Sequence, residues 1–217
     1  MFSFSTEEFL LVLENYNLTI WPIQIFAYVL VALALFLLFK QTKYSTKIVL
    51  AVLSLFWLFN GIVFCFIYWS PSHLFGYIFG ILCVIQGFLL LYSIKKSDMV
   101  IGSPDKTYTL VGLLFIFYAI IGYQIFGYFL GHIYPKFFPA GLVPCPTTIF
   151  TFGIFLIIHN RIPPQYYIIP LIISLGGFLA AYNGIYEDIG LIIAGVLGTI
   201  LIIGRNAQCK RKDIKTT

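Results

Sequence analysis

The chain is 217 residues long, 60% hydrophobic and only 10% charged, whereas an ordinary soluble domain is roughly 45–50% apolar and about 25% charged. With 23 Phe, 15 Tyr and 3 Trp it carries more apolar surface than one aqueous core of this size can bury, which excludes a soluble globular protein and indicates a polytopic membrane protein. The net charge of +5 does not point to nucleic acid, because the basic residues lie in short loops between apolar runs and not together on one face beside stacking aromatics.

At the start of the chain Ser5-Thr6-Glu7-Glu8 offers a capping box. Phe9, Leu10, Leu13 and Tyr16 follow at helical spacing, so residues 1–17 are predicted as a short interfacial amphipathic helix, either an anchoring collar or a lid over an outer cavity. No basic stretch precedes the first apolar run and no small-residue cleavage site follows it, so no cleavable signal peptide is expected.

Seven apolar runs, approaching the ~20 residues that cross a bilayer, then divide the chain: Leu18 to Phe39, Ile48 to Trp69, Leu74 to Ile94, Leu110 to Leu130, Leu142 to Ile158, Tyr166 to Tyr182 and Ile189 to Gly204. The last two are short enough to form one hairpin instead. Glu187 and Asp188 between them favour two spans, since a carboxylate pair at mid-depth costs several kcal/mol and at a turn meets water. The expected fold is all-α: a polytopic membrane helix bundle of about seven transmembrane helices, one domain over 18–204, with a basic tail over 205–217.

Twelve of the 13 Lys and Arg fall after odd-numbered runs or in the tail, Lys136 alone lying on the other side with Glu7, Glu8, Glu14, Glu187 and Asp188. Cytoplasmic loops are enriched in basic residues. The expected topology therefore has the N-terminus outside and the C-terminus in the cytoplasm.

The segment Gly131-His132-Ile133-Tyr134-Pro135 and the run Pro144-Cys145-Pro146-Thr147-Thr148 fall on the outer side in this topology. Prolines in a first helical turn remove no helical hydrogen bond, so Cys145 is expected at a rigid helix start. His132, Cys145, Glu187 and Asp188 share that depth and form the candidate metal set, with His73 nearby, although none has a known metal spacing. Within the spans Asn60, Gln86, Gln124, Thr147 and Thr148 are the candidate substrate path, their alternative role being interhelical hydrogen bonding. Gly76/Gly80 and Gly127/Gly131 suit close helix packing. The four cysteines form no C-x-x-C pair, and no nucleotide or cofactor fingerprint occurs, which leaves the cofactor unknown.

The Phe4-Ser5-Thr6-Glu7-Glu8-Phe9 start, Tyr16-Asn17, Trp21-Pro22, the two segments around His132 and Cys145 and the Glu187-Asp188 pair together resemble a family of small bacterial multi-span proteins of unknown function. The resemblance implies a bacterial inner-membrane setting and brings no activity or ligand. Three functions stay open: a transporter or channel-like protein for a small solute or ion, metals among them; a non-catalytic binding or accessory protein that uses its extracytoplasmic face; and a small thiol- or metal-dependent enzyme with Cys145 as nucleophile and His132 as base. The expected partners are the lipid bilayer and a small solute or ion, with no nucleic acid; a homo-oligomer is left open.

Overall fold

A computed structural model describes residues 6–96, 99–102 and 105–216, with side chains as far as Lys210. Ser5 of the expected capping box and the side chains of Arg211, Lys212 and Lys215 lie outside the described residues. Among those described the architecture is helical, with one isolated bridge between Ile101 and Ile158.

Helix α1 (Thr6–Thr19) buries Phe9, Leu13 and Tyr16 of the predicted stripe, with Leu10 partly buried, and also buries Asn17. After Ile20, α2 (Trp21–Phe39) starts with Pro22 in its first turn, where the missing N–H costs nothing. Helix α3 (Ser45–Phe59) passes without a break into a π-helical stretch, Asn60–Trp69. Helix α4 covers Leu74–Lys96. Asp105 caps α5 (Lys106–Phe117) by accepting from the Thr107 N–H, and a π-helical turn, Tyr118–Gly122, joins it to α6 (Tyr123–Phe129). Helices α7 (Pro144–Ile157), α8 (Ile168–Tyr182) and α9 (Asp188–Thr216) complete the bundle.

Among the described residues, five continuous helical stretches are long and apolar enough to cross a membrane: Trp21–Phe39, Ser45–Trp69, Leu74–Lys96, Lys106–Phe129 and Asp188–Lys210. This corrects the count of seven. Helices α7 and α8 have 14 and 15 residues, about 21 and 23 Å at 1.5 Å per residue, against a hydrocarbon core of about 30 Å. Local sequence sets both lengths. Pro144 and Pro146 begin α7 and extended Ile158 ends it, while Pro163-Pro164 precede α8 and Gly184, at φ +101°, turns the chain after it.

Helix α7 can be short because it sits in the middle. Every one of its residues except Cys145 is buried, and it packs against α3, α5, α8 and α9. The long helices carry the apolar exterior: Phe36, Phe88, Phe117 and Ile200 are each more than half exposed, which suits lipid and not water.

The connections gather at two ends. At one, α1 lies across the loop between α6 and α7: the Tyr16 hydroxyl donates to the Leu142 carbonyl at 2.6 Å, Asn17 Nδ2 donates to the Pro135 and Phe137 carbonyls, and Lys136 pairs with Glu14 at 3.4 Å. The Thr6 hydroxyl also donates to the Asn183 carbonyl, which ties α1 to the turn before α9. At the opposite end the Ile101 N–H donates to Thr46 Oγ1, the His159 N–H to the Val100 carbonyl, and Asn206 exchanges two hydrogen bonds with the Ile162 backbone. The first end holds Glu7, Glu8, Glu14, Glu187, Asp188 and Lys136; the second holds Lys40, Lys43, Lys47, Lys95, Lys96, Lys106 and Arg161, together with Asp105.

Arg205, the first residue of the expected basic tail, is buried. Helix α9 continues unbroken through it, and the side chain is 2% exposed, with Nη1 donating to the carbonyls of Phe155, Leu156 and Ile158. They lie at the C-terminal end of α7, where carbonyls run short of helical partners, although that of Phe155 also accepts from the Ile158 N–H, and a cation there meets the negative end of the helix dipole.

Candidate functional site

The site forms where the head of α9 meets α5, α6, α7 and the turn after α6. A tight turn closed by the Asp188 N–H on the Ile185 carbonyl sets Glu187 and Asp188 side by side at the start of α9, where the helix dipole favours a carboxylate. They are 0% and 1% exposed.

Asp188 accepts twice: Oδ1 from the Tyr123 hydroxyl at 2.5 Å and Oδ2 from the Cys145 thiol at 3.4 Å. Glu187 Oε1 lies 2.5 Å from His132 Nδ1, while its Oε2 has no partner. The Tyr118 hydroxyl donates to the Glu187 carbonyl at 2.8 Å. Both donors to Asp188 are neutral, and among the described residues no Lys or Arg is paired with either carboxylate.

The glycines around His132 explain how it reaches Glu187. Gly131, at φ +86°, ends α6 in the left-handed conformation that favours glycine, and the His132 N–H turns back to the Gly127 carbonyl at 2.8 Å, closing a Schellman-type cap. Nothing lies within 4 Å of where a Gly131 Cβ would be, so this residue terminates a helix and does not pack one, contrary to the small-residue reading. Gly127 is the packing partner: a Cβ there would sit 2.7 Å from Glu187 Oε1.

Tyr118 and Tyr123 did not emerge from the sequence. In an α-helix, residues five apart do not share a face, but the π turn bonds the Tyr123 N–H to the Tyr118 carbonyl and stacks i over i+5. Their rings are 6.0 Å apart and both hydroxyls point to the head of α9. The only trace of this in the sequence is a pair of tyrosines inside an apolar run.

The four residues of the candidate metal set thus come together, as two hydrogen-bonded pairs. Among the described residues no three His, Cys, Asp or Glu side chains are placed to hold one metal ion. Cys145 has Asp188 as its partner and His132 has Glu187, so the nucleophile-and-base pairing expected of Cys145 with His132 is not the one formed.

The candidate path residues are dispersed. Asn60 Nδ2 donates to Thr147 Oγ1 at 3.0 Å, Gln86 Nε2 to the Tyr166 carbonyl at 2.8 Å, and Gln124 Nε2 to the Phe138 carbonyl. The Thr147 and Thr148 hydroxyls donate to carbonyls one turn back, Val143 and Pro144. Asn60 Oδ1 and Gln86 Oε1 are buried without partners.

Beside Asp188 and Cys145 lies a cavity of about 110 Å³, walled by Phe9 of α1, Phe64 and Trp69 of the π stretch, Phe75 and Phe79 of α4 and a face of α8. None of the five path residues lines it. Phe9 packs edge-on to Trp69, 5.2 Å between centroids, so α1 forms its roof.

The chain belongs to DUF6064, a family of unknown function, which matches residues 6–213. No curated protein and no solved structure matches it.

Proposed function

We propose that this is an integral membrane protein that transports a small solute or ion through a site built on Glu187 and Asp188, with its acidic end outside and its basic end in the cytoplasm. The observation that carries the reading is the burial of two adjacent carboxylates at the head of a membrane-length helix, beside a cavity. Ionisable groups in a membrane domain are expensive and mark routes for ions, protons and solutes. The gathering of Lys and Arg at one end supports the orientation, and the family resemblance supports a bacterial inner membrane. In this arrangement α7, buried among its neighbours, and α8, which exposes Ile168, Ile172, Leu175 and Phe178 on one face, also pass between the ends.

Asn60 and Thr147, hydrogen-bonded to each other, are the next polar step below Cys145. A second reading, a binding or accessory protein without transport, is favoured by one observation: none of the candidate path residues opens on the cavity. Reconstituted vesicles separate the two. With proton, alkali-metal and small organic-cation gradients tested in turn, wild-type protein is expected to dissipate at least one and Asp188→Asn to lose that flux. Absence of flux across the whole set, in protein that is folded, favours the second reading.

A further inference from the structure

We propose that the cation taken by the Glu187/Asp188 region is a proton, which His132 delivers to the Glu187 carboxylate. The inference rests on the reading of this region as the functional site, and names the ion that the site takes.

Charge and hydrogen bonding single out Glu187. The two carboxylates are adjacent in the chain and 0% and 1% exposed, so with His132 neutral the site holds two like charges away from water, which disfavours one of them. Asp188 is the better held: Oδ1 accepts from the Tyr123 hydroxyl of α6 and Oδ2 from the Cys145 thiol of α7. Glu187 has His132 alone, on Oε1, and its Oε2 is buried with no partner. Tyr118, facing it from the π turn, gives its hydroxyl to the Glu187 main-chain carbonyl and not to the carboxylate, and Lys136, in the loop after His132, pairs with Glu14. A proton on Glu187 leaves one charge where there were two.

Space and access fit a proton and no larger cation. Glu187 does not line the cavity beside Asp188, and the α6 backbone comes so close that a Cβ on Gly127 would lie 2.7 Å from Oε1. A metal cation needs several ligands around it at once, and among the described residues no three His, Cys, Asp or Glu side chains are placed to supply them. A proton needs only a hydrogen-bonded route. Of the pair, His132 keeps 9% of its side chain exposed and Glu187 none, so exchange with water passes through the imidazole, which Phe138 meets edge-on at 6.1 Å between centroids. With Nδ1–H donating to the carboxylate across 2.5 Å, a proton from water bonds to Nε2, the Nδ1–H bond breaks and an O–H bond forms on Oε1. The ring is left neutral as its other tautomer, and the carboxyl is left uncharged. Imidazole gains and loses protons between about pH 5 and 8, so water near neutrality can load and unload it.

The test uses the full chain in maltoside micelles and infrared difference spectra between about pH 8 and about pH 5. Wild-type protein is expected to gain the carbonyl stretch of a protonated carboxyl group, Glu187→Gln to lack it, and Asp188→Asn to keep it with a midpoint about one pH unit or more lower, because the neighbouring like charge is gone. His132→Gln, which leaves Glu187 a hydrogen-bond donor that does not titrate, is expected to slow the rise of the band after a pH jump at least about tenfold. No such band in wild type, a band unchanged in Glu187→Gln, or an unchanged rate in His132→Gln overturns the proposal. Should Glu187→Gln fail to fold, Glu187→Asp, which keeps a carboxyl in a different place, is expected to shift the band; an unmoved band there likewise overturns it. Protonation of Glu187 without vesicle flux removes the transport reading and leaves this one standing, whereas flux of another cation with no carboxyl band does the reverse.

Discussion

Nδ1 of His132 and Oε1 of Glu187 lie 2.5 Å apart although 55 residues separate them in sequence. Neither side chain is open to solvent: His132 is 9% exposed and Glu187 is fully buried. Removing one partner of such a pair strands the other, which typically costs about 3–5 kcal/mol, while replacing both with apolar groups is often neutral. His132→Leu is therefore expected to lower thermal stability sharply and the double variant His132→Leu/Glu187→Leu to recover most of the loss. A double variant no more stable than His132→Leu would show that the contact carries little of this energy.

Gly127 tests the same contact from its other side. Alanine at this position places a Cβ 2.7 Å from Glu187 Oε1, and overpacking of this kind costs about 1–3 kcal/mol. Gly127→Ala should destabilise the wild type and be better tolerated beside Glu187→Ala, which vacates the space. Melting curves of the four proteins would reveal additivity instead if the steric account were wrong.

Tyr16 links α1 to the rest of the acidic end, and burial pushes its phenol well above its ordinary value near 10, Cys65 and Tyr68 adding to the shift. A folded-state value above the unfolded one means that the native protein holds its proton longer. The associated stability is present below about pH 10 and is lost as the pH rises beyond it. Tyr16→Phe should lose about 1 kcal/mol at neutral pH, through the unpaired Leu142 carbonyl, and should fall less steeply than wild type between pH 9 and 11 (approximate limits from the ordinary phenol value). Parallel alkaline profiles for the two would remove Tyr16 as a cause.

Arg205, 2% exposed, should matter more than an exposed basic residue. Replacing it with Met removes the guanidinium that donates to three carbonyls at the end of α7, of which Phe155 keeps the Ile158 N–H, a loss of about 2–3 kcal/mol for hydrogen bonds to a charged group. Arg205→Lys, with one flexible ammonium, should restore part of it. Wild-type melting behaviour in Arg205→Met would return the residue to the tail.

Much of this architecture is legible in the sequence because long apolar runs, Pro-rich starts and charged turns leave little freedom in where helices begin and end. The shared depth of His132, Cys145, Glu187 and Asp188 is legible for the same reason. Their pairing is not, since it depends on the Gly131 cap and on the approach of Gly127 to α9, both set by tertiary contact. The π turn that aligns Tyr118 with Tyr123 is hidden because a change of helical period leaves no mark in a run that is apolar on every face. Arg205 misleads because a charge after an apolar run looks like a boundary, while the carbonyls that hold it lie in a different helix.

The enclosure of α7 determines how the protein is made. A 14-residue helix that starts with two prolines and carries Thr147, Thr148 and Thr151 has too little length and too much polarity to lodge in lipid alone. It acquires a stable place only inside a sleeve of other helices, and α9, synthesised after α1 to α8, completes that sleeve and delivers Asp188 to Cys145. A ribosome-tethered chain that ends before α9 should therefore leave Cys145 open to a water-soluble maleimide, and labelling should slow once α9 has emerged. Equal labelling at both lengths would mean that the central helix is seated before its last neighbour arrives.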